Sequence, residues 1–90
     1  MTAEERETFA KLFGTTLRHI MEERGYDMEP SIHRGARAFE RDIRRATGME
    51  LSHCVIAHLL EGRREPTYGE LVLIDSTLGA GWFTLAKEGK

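Results

Sequence analysis

The residues with the most chemistry in this chain crowd into one stretch, Leu51-Ser52-His53-Cys54-Val55-Ile56-Ala57-His58. Two imidazoles and a thiol could hold a metal ion or arm a nucleophile. Cys54 and His58 stand four residues apart, so on a helix they share a face. A structural zinc site, however, wants four ligands, and no second Cys/His pair follows. A nucleophilic Cys54–His58 pair would need an orienting third group and an oxyanion loop, and neither is visible. The expectation is therefore no catalytic residue, no metal and no cofactor. What remains is presentation. With Val55, Ile56, Leu59 and Leu60 turned inward, Ser52, His53, Cys54, Ala57, His58 and Glu61 form the outward side of a helix over 52–61. Small or polar side chains at such a helix start can approach base edges in a major groove. Ser52 and the first backbone N–H groups can meet a phosphate. The plainer alternative is a set of solvent-exposed residues with no ligand.

A second cluster lies upstream. At about 100° per residue, Arg34, Arg37, Arg41, Arg44 and Arg45 fall within about 100° of arc, on the side away from Ile32 and Ile43. Guanidiniums grip phosphate oxygens in bidentate fashion, so the stripe suits a nucleic-acid backbone. The alternative is a solvated face with Glu40 and Asp42 supplying local ion pairs.

The charge distribution favours the same region. The net charge is −2, which argues against a general polyanion binder. Residues 1–30 carry −3 and residues 67–90 carry −1, whereas residues 31–66 carry +2 and three of the four histidines. Ninety residues with 40% hydrophobic and 31% charged content suit one globular domain over 1–90. One cysteine forms no internal disulfide, and no apolar run has the length of a membrane span. A cytoplasmic setting is expected.

Helices must position these groups. Phe9, Leu12, Phe13, Thr16, Leu17, Ile20 and Met21 recur at steps of three and four, with Thr2 and Glu5 as a capping box and Gly25 as the stop. Ser31 can cap a second helix carrying Ile32, Ala36, Phe39, Ile43 and Ala46, ended by Gly48. Ser52 opens the third, stopped by Gly62. Thr67 and Glu70 form another capping box before Leu71, Ile74 and Leu78, with Val72 or Leu73 beside them. A short fifth segment holds Trp82, Phe83 and Leu85, within a helix or tail at 80–90. No strand-like alternation survives, so the fold class is all-α.

Three stretches resemble the phage-repressor, Cro-like (XRE) helix-turn-helix family: FGTTLRHIMEERG at 13–25, RRATGM at 44–49 and HLLEGRREPTYGELVLIDSTLG at 58–79. The resemblance spans roughly two-thirds of the chain and implies a compact four- to five-helix, lambda-repressor-like domain whose third helix reads the major groove. It places Ser52, His53, Cys54, Ala57 and His58 at base contacts, with Arg63 and Arg64 near the backbone. The segment 26–38 before the second helix is longer than the family needs, so that helix is extended or preceded by an extra turn. Glu40 stands where the family often has a phosphate-touching glutamine. The connection Met49-Glu50-Leu51-Ser52 is longer by about two residues, and Leu60 replaces a usual glutamate.

The expectation is a sequence-specific transcriptional regulator, non-enzymatic and nucleoid-associated, that binds double-stranded DNA without a membrane. Such proteins commonly dimerise, because two half-sites multiply the discrimination of one short helix. Phe83 is assigned to the core and Trp82 to the dimer contact. The alternative is a protein-interaction module on the same scaffold.

Overall fold

Each helix begins where the sequence supplies an oxygen for its unpaired N–H groups. The computed structural model describes residues 2–79, which form α1 (Ala3–Glu23), α2 (Ile32–Thr47), α3 (His53–Leu60) and α4 (Tyr68–Leu78). At α1 the Thr2 hydroxyl accepts from the Glu5 N–H at 3.1 Å while the Glu5 carboxylate accepts from the Thr2 N–H at 2.7 Å. Thr67 and Glu70 repeat this reciprocal box at α4, at 3.2 and 2.9 Å. Ser31 and Ser52 cap α2 and α3, accepting from the N–H groups of His33 and Cys54. Beyond α1, Gly25 takes φ +94°, donates to the Glu22 carbonyl, and lets Tyr26 donate back to Met21, both at 3.0 Å. That is a Schellman turn, and it needs a residue free to adopt positive φ.

Packing follows from the apolar stripes. α2 lies against α3 and α4, and α3 lies against α1. Leu17, Met21, Phe39, Ile43, Ile56, Leu59 and Ile74 are the largest fully buried side chains of one continuous core. Each contributes about 1.5–3 kcal/mol by leaving water. α1 crosses the end of α3 at Gly14. A Cβ there would stand 2.5 Å from the Leu59 carbonyl oxygen and 2.8 Å from that of Leu60. Only glycine allows this approach.

Four expectations are corrected or refined. Phe9 and Leu12 share the α1 periodicity but are 43% and 63% exposed, because they lie on the flank of the face that buries Ala10, Phe13, Leu17 and Met21. Ala46, near the end of α2, is exposed, and Val55 is only half-buried. The segment 26–38 is not uniform: residues 26–31 are the connection, and α2 begins at Ile32 as one extended helix because Ser31 caps it there. The fifth segment with Trp82, Phe83 and Leu85 lies outside the described residues. Among those residues the fold is all-helical, and no helix is long and apolar enough to cross a membrane.

Candidate nucleic-acid interface

α3 is eight residues long and is packed on two sides, by α1 and by α2. Two neighbours bury more than a narrow stripe. Ile56, Ala57, Leu59 and Leu60 are all covered, an arc of about 160° at the helical step. Ala57 is fully buried, so it is removed from the proposed base contacts. A methyl group fits either face of a helix, and here the second packing partner claims it. The exposed side is accordingly narrow: Ser52, Cys54, His58 and Glu61, with Arg63 just beyond.

His53 sits at the edge of this side and is half-buried against α2. Its Nδ1 lies 3.1 Å from Glu40 Oε1, and its ring meets the His33 ring edge-on at a centroid distance of 6.4 Å. The Cys54 thiol stands 3.7 Å from His53 Nε2. His53, Cys54, His33 and Glu40 therefore meet at the α2–α3 corner, and His58 is not among them. Among the described residues no group of three His, Cys, Asp or Glu side chains could hold a metal ion. The Glu40 carboxylate, which on sequence grounds faced incoming phosphates, is turned onto His53 instead.

The arginine stripe is divided by the fold in part, since Arg34 and Arg41 also line a shallow depression with His33 and Arg37. His33 and Glu40 mark the line along which α2 meets the start of α3. Arg37 and Arg44 lie about 40° from that line, whereas Arg34, Arg41 and Arg45 lie about 90–130° from it. Arg37 is exposed and has no hydrogen bond or ion pair among the described residues. Arg44 pairs with Glu50 in the α2–α3 connection. Arg34, Arg41 and Arg45 line a cleft of about 630 Å³ together with Arg24, Tyr26 and Asp42.

The two arginines after α3 differ from one another. Arg63 is exposed and pairs with Glu61 at 2.9 Å. Arg64 forms a two-pronged bond to Glu70, at 2.8 and 2.7 Å, and so closes over the α4 capping box. That fork holds the Glu70 carboxyl below the usual carboxylate range, chiefly through the Arg64 hydrogen bond, and raises Arg64 above its own usual value. Arg64 is thus occupied within the fold.

Two features escaped the sequence. One is the His53–Glu40 pair, thirteen residues apart; its only sequence trace is that both flank the α2–α3 turn. The other is Tyr26, whose ring packs edge-on against Phe39 at 5.3 Å and whose hydroxyl donates to Asp42. Burial first, then the Asp42 hydrogen bond and charge, push that hydroxyl well above the ordinary tyrosine range. It stays a donor. No protein-family model, curated protein or solved structure matches the chain.

Proposed function

We propose that the chain is a sequence-specific DNA-binding regulator of transcription, with α2 and α3 as a helix-turn-helix and α3 presented to the major groove. The observation that carries this reading is the α2–α3 corner. Ser52 and Cys54 stand exposed at the cap and first turn of a helix whose far side is core, and the exposed Arg37, unpartnered among the described residues, lies on the neighbouring α2. Ser52, His53, Cys54 and His58 are the proposed base-reading groups, and Arg37, Arg44 and Arg63 the proposed phosphate contacts. No enzymatic step is assigned, and the proposed place of action is the cytoplasm, on the nucleoid.

A single eight-residue helix reads few base pairs, so the proposed working form is a homodimer. An apolar groove lined by Phe9, Leu12, Thr16, Pro66 and Leu71 supplies the uncovered surface for a second copy. The same groove favours the other reading, a protein-interaction module on this scaffold. Electrophoretic shift with random genomic fragments, at low and at physiological salt, separates the two. A DNA-binding regulator shifts the fragments and does so less as salt rises. An interaction module shifts none at either salt.

A further inference from the structure

Arg34, Arg41 and Arg45 point into a cleft centred about 120° around α2 from the His33–Glu40 line, away from the start of α3. In the proposed docking of a duplex on α3 these three side chains lie to the side of the contact, which leaves them available to another partner. The cleft is built from two elements. Arg24, at the end of α1, donates from Nε and Nη2 to the Leu78 carbonyl at 3.3 and 3.1 Å. Arg34 donates to the Glu29 carbonyl at 3.2 Å and lies 3.5 Å from Asp27. These two guanidiniums are anchored, and each keeps N–H groups to spare, since arginine carries five.

The other two are free to close on a ligand. Arg41 has no hydrogen bond or ion pair among the described residues, and Arg45 reaches Asp42 only at 3.9 Å. Both carboxylates in the cleft are already engaged: Asp27 accepts from the Glu29 N–H at 2.9 Å, and Asp42 accepts from the Tyr26 hydroxyl. Four arginines against two aspartates leave an excess of two positive charges in a concave surface. Planar forks of this kind match the paired oxygens of a phosphate group.

We propose that the cleft between the end of α1 and the outer side of α2 binds a small phosphate-bearing anion, at a site separate from the proposed DNA-reading corner. Arg24 and Arg34 form its fixed wall, and Arg41 and Arg45 fold over the bound phosphate. The site makes a ligand-responsive regulator possible, but its existence does not depend on DNA binding.

The test is a titration of the full chain with inorganic pyrophosphate at constant ionic strength, followed by amide chemical shifts. Saturable shifts centred on Gly25, Tyr26, Ala38 and Arg45 are expected. Arg41→Gln should weaken binding about tenfold, the effect of losing one charge-assisted hydrogen bond, and Arg18→Gln, outside the cleft lining and paired with Glu22, should not. Shifts that never saturate, or that spread evenly over every arginine, would reduce the cleft to general screening and overturn the proposal. A second arm adds duplex DNA to the pyrophosphate-loaded protein. Retention of the cleft shifts supports a separate site, whereas displacement of pyrophosphate by the duplex assigns these arginines to the DNA backbone and overturns it.

Discussion

Glu40 Oε1 lies 3.1 Å from His53 Nδ1, so this carboxylate is spent on orienting the first residue of α3. In the proposed complex its charge would stand near the DNA backbone, within a Debye length of a phosphate docked there. Glu40→Gln keeps a carbonyl oxygen in place for the imidazole and removes the charge. The expected result is a rise in affinity of less than about tenfold for all duplexes alike, fading as salt is raised. Anisotropy titrations at two salt concentrations measure it.

Gly14 and Gly69 make a matched pair. Alanine is favoured over glycine inside a helix by about 1 kcal/mol. At Gly69 nothing lies within 4 Å of the added methyl, so Gly69→Ala should stabilise by about 0.4–1 kcal/mol. At Gly14 the methyl would meet two backbone carbonyls, which cannot rotate away. Overpacking there costs about 1–3 kcal/mol, more than propensity returns, so Gly14→Ala should destabilise. Urea unfolding of both variants checks the opposite signs.

How legible was all this in the residues? The caps were legible because they are local: Thr2 with Glu5, Ser31, Ser52, and Thr67 with Glu70 each satisfy N–H groups within three residues. Ile56 and Leu59 were legible from periodicity. Ala57 was not, since its burial depends on α1 and α2 both reaching α3. Phe9 and Leu12 failed for the reverse reason: periodicity marks an apolar face, but not how much of its width a neighbour covers. The division of the arginine stripe depends on where the 24–31 connection returns to α2, which no spacing rule encodes. The proposed helix-turn-helix rests on the tight α2–α3 connection and on the resemblance of 13–25, 44–49 and 58–79 to that family.

The Arg64–Glu70 fork carries a pH signature. Glu70 titrates lower in the folded chain than in the unfolded one, so it binds fewer protons when folded. Its stabilising contribution is complete above the unfolded value of about 4.3 and is lost as pH falls through the lower folded value. Glu70→Gln retains a capping-box side chain and removes the ion pair. The variant should melt below the parent at neutral pH, and the gap should close as the pH falls below about 4. Thermal melts across that range read both.

Arg37 is the cleanest test of phosphate contact. It is exposed and unpartnered among the described residues, so replacing it disturbs no internal bond. Arg37→Gln should weaken binding to all sequences and flatten the slope of log K against log salt by about one unit. An unchanged slope returns Arg37 to a solvated surface.

Whether the first turn of α3 reads bases, as proposed, is decided by selection from randomised duplexes with the parent and His53→Ala proteins. The parent should enrich a defined sequence, and His53→Ala should lose about 1–3 kcal/mol on that sequence while non-specific binding stays nearly intact. Identical preferred sequences from both proteins, or no enrichment by the parent, would contradict the claim and favour the interaction module.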